Sequence, residues 1–302
     1  MSSVYWLARG GSALAGWIPR PIRHALGSTM SSASYLGWRS KRLVTQQNMS
    51  KVLGLPVSDA RVRHAALASW SKYGRYASDF LYFSHMNMEN IEARTRDLTE
   101  GATWLEFAQQ ALAPGKGAIG ATAHFGSWDI AGALLARHFS LAAVAETFKD
   151  PRLNDFLQNQ RREKKIGIIS MEGSARRILR ALHENMCVAI VVDRPMTKET
   201  GVEITFFGQK TYVPGGPAAL AVKSGAALLP GYAWYGQQQE FIIRVFAPLF
   251  PQACTGPEER DREIARLTQY IYTALEEVIR AEPTQWYMFR PFWPAPVANV
   301  QE

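Results

Sequence analysis

The chain has 302 residues, 47% of them hydrophobic, enough for a full core and suited to one large α/β domain with an appended helical piece. Its formal charge is +8, and no acidic residue precedes Asp59, whereas Arg9, Arg20, Arg23, Arg39, Lys41, Arg42 and Lys51 all do. The two cysteines, Cys187 and Cys254, give neither a disulfide framework nor a zinc spacing, and a reducing, cytoplasmic setting fits them.

Residues 1–55 read as helical and basic, broken at Pro19 and Pro21. Val4 to Ile18 is apolar but too short to span a bilayer, and Arg9 interrupts it, so an interfacial helix is the better reading. Trp6, Trp17, Tyr35 and Trp38 lie among the basic residues, a combination that suits an anionic membrane surface, with Arg39, Lys41 and Arg42 as lipid contacts. The competing reading is a solvated basic face with aromatics in the core. No nucleic-acid recognition motif is present, and nucleic acid ranks well below lipid.

A helix follows with Ser58 as N-cap. Val62, Ala66, Trp70, Tyr73, Ala77, Phe80 and Leu81 form its apolar stripe. Gly101 to Ala113 is a third amphipathic helix, ended by Pro114-Gly115.

From Lys116 the pattern changes to short apolar runs alternating with helices. The runs are Ala118–Ala123, Leu141–Ala145, Ile166–Ser170, Cys187–Val192, Glu203–Phe207, Ala226–Tyr232 and Phe241–Phe246. Helical segments are read at 129–138, 151–164, 174–184 and 215–224. This alternation predicts an α/β fold: a largely parallel, mixed sheet flanked by helices, with the last two strands antiparallel. Pro257 to Ala281 is a long helix with Ile264, Leu267, Ile271, Leu275 and Val278 on one face.

The stretch AIGATAHFGSWDIAGAL (118–134) organises the rest. A buried strand delivers His124 to its C-terminal end, Gly126 allows a tight turn, and Asp129 falls in the first turn of a helix. That end of an open α/β sheet is where ligands bind. A neutral histidine can take a proton from a hydroxyl, and a carboxylate on its far ring nitrogen would hold the useful tautomer. The bland alternatives are that Asp129 is only an N-cap and His124 only a satisfied loop histidine.

Three further places carry chemistry. Glu146 ends a strand and can point into the same mouth, with Arg161 on the following helix; the two can form a structural ion pair. Asp193-Arg194 ends another strand, where a carboxylate can orient a sugar hydroxyl or the histidine, or cap a loop. Val213-Pro-Gly-Gly-Pro opens a helix after a loop containing Lys210, and free N–H groups there suit an anion. No GxGxxG, GKS/GKT or GxSxG is present.

HFGSWDIAG (124–132) resembles the H-x4-D/E motif of the bacterial lipid A late acyltransferases, and the chain is most similar to their actinobacterial branch, the phosphatidylinositol mannoside acyltransferases. SKYGRY (71–76), VAETFKDPRL (144–153), QRREKKIG (160–167), TGVEITFFG (200–208), VPGGPAALAVKSGAALLP (213–230) and TQWYMFRPFW (284–293) carry the likeness over most of the chain. The resemblance implies one acyltransferase domain over 1–302, with 1–55 a membrane-docking segment and 116–250 the α/β core, on the glycerolipid acyltransferase pattern. It implies a peripheral enzyme on the cytoplasmic face of the inner membrane. That enzyme moves a palmitoyl-like chain from acyl-CoA or acyl carrier protein to a sugar hydroxyl of a glycolipid, either a phosphatidylinositol mannoside or a lipid A precursor.

In that reading His124 matches the base and Asp129 its partner. Glu146 and Arg161 match residues of the active-site region. Asp193 stands where the mannoside enzymes have glutamate, followed as there by arginine, Arg194. No metal or bound cofactor is implied, since acyl-CoA is a substrate. Backbone N–H groups near Gly126, or Arg161, are the candidate oxyanion donors, and the acyl groove is expected between the helix after Asp129 and Phe206-Phe207. Phosphates of acyl-CoA could use Lys210 or Arg194. A thioesterase and a non-catalytic lipid-binding protein are the competing functions.

Overall fold

A computed structural model describes residues 3–238 and 240–293. Residues 1, 2, 239 and 294–302 of the expected domain lie outside the described residues. Three helices lead: α1 (Ser3–Ala15), α2 (Arg20–Gly37) and α3 (Arg39–Leu53). Pro19 separates the first two as expected. Pro21 sits in the first turn of α2, where its missing N–H costs nothing, so it does not break the helix. An extra break falls at Trp38, between α2 and α3. Next comes α4 (Ala60–Leu81), whose N-cap is Asp59 rather than Ser58: the Asp59 side chain accepts from Arg61 N–H at 2.8 Å.

The glycines of α2 and α4 set how these two helices cross. A Cβ on Gly27 would lie 2.3 Å from the Gly74 carbonyl oxygen, and one on Gly74 would lie 2.1 Å from that of Gly27. Only two glycines let the backbones approach so closely. Buried Asp79 of α4 then receives the His24 ring at 2.8 Å and the Tyr235 hydroxyl at 3.1 Å, fixing α2 to the core.

The α/β part follows the expected alternation. It comprises α5 (Met88–Glu92), β1 (Arg96–Asp97), α6 (Trp104–Leu112), β2 (Ala118–Thr122), α7 (Trp128–His138), β3 (Leu141–Ala145) and α8 (Pro151–Arg162). Then come β4 (Ile166–Ser170), α9 (Ser174–His183), β5 (Cys187–Val191), β6 (Val202–Phe206), β7 (Gln209–Val213) and α10 (Gly216–Ser224). The last elements are β8 (Ala227–Tyr235), β9 (Phe241–Val245) and α11 (Pro257–Ala281). Seven strands form one sheet in the order β1-β9-β8-β2-β5-β3-β4. It is parallel except between β8 and β9, which pair antiparallel as the short connection predicted.

Side chains alternate across this sheet with period two. Ile119 and Ala121 of β2 pack with Leu182 of α9, Ala221 of α10 and Leu275 of α11. Ala118 of β2 joins the opposite core, with Phe107 of α6 and Leu134 of α7. The run at Glu203–Phe207 is the exception. It forms β6, which pairs antiparallel with β7 as a separate ribbon, and the loop read around Lys210 is strand. The ribbon is held to α11 by Gln269, whose side chain bonds both the N–H and the C=O of Thr205 at 2.9 Å.

Because β2 and β5 are parallel neighbours, their C-terminal ends share one edge. Thr122 is opposite Val191, so residues two further along each chain, His124 and Asp193, emerge side by side.

Candidate active site

Asp193 is fully buried just beyond β5. Its Oδ1 lies 2.8 Å from His124 Nδ1, and both its oxygens accept from the His124 backbone N–H at 3.1 Å. The Trp286 indole N–H donates to Oδ2 at 3.0 Å. Burial alone would push the carboxyl up. The His124 charge and the hydrogen bonds from His124 and Trp286 outweigh it and hold Asp193 below the usual carboxylate range. An ionised carboxylate only accepts, so the proton on the imidazole must sit on Nδ1, leaving Nε2 with a lone pair. For His124 itself, burial disfavours the charged form. Asp193 more than offsets this, and the pKa is raised above 6.5, with Arg194 and Arg290 opposing the rise.

The turn after His124 depends on Gly126, at φ 57°, where a Cβ would meet the Ala233 carbonyl oxygen at 2.2 Å. Its N–H donates to Gln285 O at 2.9 Å, and the Ser127 N–H donates to Ala233 O at 2.7 Å. These amides shape the loop and are not free for an oxyanion, contrary to the expectation for N–H groups near Gly126.

Asp129 does not serve the ring nitrogen of His124. It begins α7 and is buried, accepting from Arg161 Nε at 2.7 Å and from the Tyr76 hydroxyl at 2.6 Å. Arg161 is further held by Gln158 at 3.0 Å and lies 5.0 Å over the Phe80 ring. The expected Glu146–Arg161 pair is therefore not formed. Glu146 instead accepts from Arg194 at 2.9 Å. The carboxylates have exchanged partners relative to the sequence reading: His124 takes Asp193, Arg161 takes Asp129 and Arg194 takes Glu146. Of the options open for Asp193, orienting the histidine is the one the geometry supports.

Trp286 was not singled out by spacing or periodicity, although it lies in the stretch TQWYMFRPFW. That stretch runs as a strap between the His124 loop and the first helices. Tyr287 N–H donates to His124 O at 2.8 Å, Ser69 donates to Trp286 O at 2.9 Å, and Asn48 Nδ2 donates to Met288 O at 2.9 Å and Arg290 O at 2.8 Å. Trp286→Phe keeps a ring in place but removes the donor to Asp193. It is expected to lower kcat about tenfold or more, since hydrogen bonds to charged groups are worth roughly 1.5–3 kcal/mol. Steady-state rates against wild type check this, with the melting curve as control; an unchanged kcat would mean that Trp286 only fills space.

A cleft of about 380 Å³ opens beside His124, with Trp38, Lys41, Tyr73, Glu146, Arg194 and Arg290 among its walls. A second, apolar cavity lies between α6, α7 and the sheet, lined by Trp104, Gly120, Thr122, Trp128, Gly132 and Leu229 among others. Trp128 stands 5.3 Å from the His124 ring, between base and cavity. The helix after Asp129 lines this cavity, but Phe206 and Phe207, expected on the other wall of the groove, pack with Trp286 and Trp293 in the opposite core. Lys210 is also away from the cleft, paired with Glu203 at 2.7 Å on the ribbon. Among the described residues no three His, Cys, Asp or Glu side chains could together hold a metal ion. No helix among them is long and apolar enough to cross a membrane.

The chain is similar to known proteins over most of its length. The chain is 32% identical over 309 residues to a phosphatidylinositol mannoside acyltransferase of Mycobacterium tuberculosis (strain CDC 1551 / Oshkosh), covering 99% of this chain and 92% of the relative. A protein of the same name from Mycolicibacterium smegmatis (strain ATCC 700084 / mc(2)155) is 26% identical over 295 residues, covering 94% and 91%. Among solved structures, the 1-acyl-sn-glycerophosphate (LPA) acyltransferase PlsC from Thermotoga maritima aligns with a TM-score of 0.38 at 12% identity, over 85% of this chain and 99% of that one. The family model described as bacterial lipid A biosynthesis acyltransferase matches residues 1–294, so the histidine-centred cleft belongs to a chain that is a member of that family.

Proposed function

We propose that the chain transfers a fatty acyl group from acyl-CoA to a sugar hydroxyl of a membrane glycolipid, a phosphatidylinositol mannoside, at the cytoplasmic face of the inner membrane. The observation that carries the reading is the His124–Asp193 pair, set between an open polar cleft and an apolar cavity. The acceptor hydroxyl enters the cleft and gives its proton to His124 Nε2 as its oxygen attacks the thioester carbonyl carbon. Asp193 holds the tautomer and stabilises the imidazolium. The tetrahedral intermediate then collapses, the C–S bond breaks, and the imidazolium returns the proton to the departing thiolate. No metal or bound cofactor takes part.

The carbonyl-proximal part of the acyl chain enters the apolar cavity behind Trp128, which measures about 70 Å³. Glu146 and Arg194, paired on the cleft wall, face the acceptor sugar. Arg161 acts on the site only through Asp129, not on substrate. The N-terminal end of α7 begins four residues past His124 and supplies a favourable dipole near the developing oxyanion.

Membrane contact is assigned to the first two helices. Leu7, Leu14, Trp17, Ile22, Leu26 and Met30 are all exposed, Trp17 at 89% and Met30 at 72%. Ile22, Leu26 and Met30 recur every four residues and so form one stripe on α2. Of the three cations expected to touch lipid, Lys41 faces the cleft and Arg42 donates to the carbonyl of Leu36 at the end of α2, which leaves Arg39 as the lipid contact. Replacing Leu26 and Met30 together by Glu is expected to lower partitioning onto anionic vesicles about a hundredfold, from roughly 1.5–3 kcal/mol of burial per side chain. Vesicle sedimentation reads this, and unchanged partitioning would remove α2 from the interface.

The reading as a whole is tested by incubating purified protein with palmitoyl-CoA and, in separate reactions, a phosphatidylinositol mannoside and a lipid A precursor. Mass spectrometry should find one added acyl group on the mannoside. Free fatty acid as the sole product would replace the transferase with a thioesterase.

A further inference from the structure

The cleft holds a charge pattern that the transfer chemistry does not use. Arg194 is neutralised by Glu146, and Lys210 is engaged on the distant ribbon. Two cations on the cleft wall are not neutralised. Lys41 Nζ donates to the carbonyl of Phe289 at 3.2 Å and lies 5.7 Å over the Trp38 ring, and among the described residues it meets no carboxylate. Arg290 is exposed, and its guanidinium has no hydrogen bond or ion pair among the described residues.

Lys41 is held by its own bond, and Arg290 is anchored through its backbone. Lys41 bonds the carbonyl of the residue just before Arg290, and the Arg290 carbonyl accepts from Asn48 at 2.8 Å. The ammonium therefore sits against the peptide that carries the guanidinium. Arg290 lines the same cleft as His124, and its charge opposes protonation of that ring.

A guanidinium fork and an ammonium point charge, carried on adjoining backbone of one cleft wall and bonded to no carboxylate among the described residues, suit a phosphate ester. We infer that Lys41 and Arg290 form a phosphate-ester subsite of the cleft, which takes the phosphodiester of the acceptor headgroup while its sugar reaches His124. The choice of headgroup rests on the function proposed above; the phosphate chemistry does not. The other source of the same chemistry is the phosphates of acyl-CoA.

The test reads binding and not turnover. Wild type, Arg290→Ala and Lys41→Ala are titrated by NMR with two soluble phosphate esters, glycerophosphoinositol and coenzyme A. Glycerophosphoinositol should bind the wild type and lose about tenfold in affinity in either variant, while coenzyme A is unaffected. Arg290→Lys should recover part of the loss, because the charge returns without the fork. Weakened coenzyme A binding in its place would keep the phosphate subsite and assign it to the donor. Equal binding in all proteins, or no binding of either ester to wild type, would overturn the subsite. Failure of the transfer reaction is a separate result, since wild-type protein that binds the ester without acylating it would refute the functional reading alone. Arg290 lies on the strap and not on the docking helices, so a change in its variant cannot come from lost membrane contact.

Discussion

Asp193→Asn is expected to reduce acyl transfer by about 10²–10⁴-fold, approaching the loss in His124→Ala. The amide keeps the size and one acceptor but loses the charge that sustains the imidazolium. The amide also offers a donor where the carboxylate only accepts, so the ring can turn to the wrong tautomer. The residual activity carries its own signature. His124 must be neutral to act as base, so the rate rises with pH through its pKa. Asp193 raises that pKa above 6.5 against the opposing effect of burial. Removing the charge should therefore move the acid limb of the pH–rate profile downward. Initial rates from pH 5 to 9 check both magnitude and direction, and a near-wild-type rate in Asp193→Asn would exclude it as the partner of the base.

Asp129→Ala has an equally large expected effect, but on stability. The substitution strands Arg161, which is buried apart from a 17% exposed side chain, and leaves the Tyr76 hydroxyl without its 2.6 Å acceptor. Breaking a buried pair on one side costs about 3–5 kcal/mol. In a chain of this size that is a drop in melting temperature of about 10 °C. Tyr76 packs against Trp128 with ring centroids 3.9 Å apart, so activity should fall as the wall beside His124 loosens. The fall should come without the shift in pH profile described for Asp193. Asp129→Asn, which keeps one acceptor for Arg161 and offers its amide N–H to the Tyr76 hydroxyl oxygen, should recover part of the stability. Calorimetry reads the melting temperatures; an unchanged melting temperature with a displaced acid limb would return Asp129 to the role of imidazole partner.

The two carboxylates show what the sequence discloses and what it withholds. His124 was legible because a buried apolar run ends there and Gly126 supplies the turn. Asp129 drew the pairing because it is four residues away along the chain. The true neighbour of His124 is 69 residues on, brought there because β2 and β5 lie side by side in parallel. Strand order is a tertiary property, so orienting the histidine remained one of three roles open to Asp193. Trp286 was further out of reach, since its contact depends on where a non-repetitive segment crosses the core. The sheet and its helices were legible because period-two and period-3.6 patterns are local. The β6–β7 ribbon was misread because β7, with exposed Lys210 and half-buried Gln209 and Tyr212, has no apolar run, and β6 pairs with it and bonds α11 rather than joining the main sheet. The break at Trp38 likewise carries no proline or glycine on its C-terminal side to announce it.

The most direct test is the NMR titration of the His124 imidazole in wild type, Asp193→Asn and Asp129→Asn. A pKa above 6.5 in wild type, lowered in Asp193→Asn and unmoved in Asp129→Asn, is the expected result. A pKa that drops in Asp129→Asn and stays put in Asp193→Asn would contradict the assignment of Asp193 as the residue that holds the catalytic base.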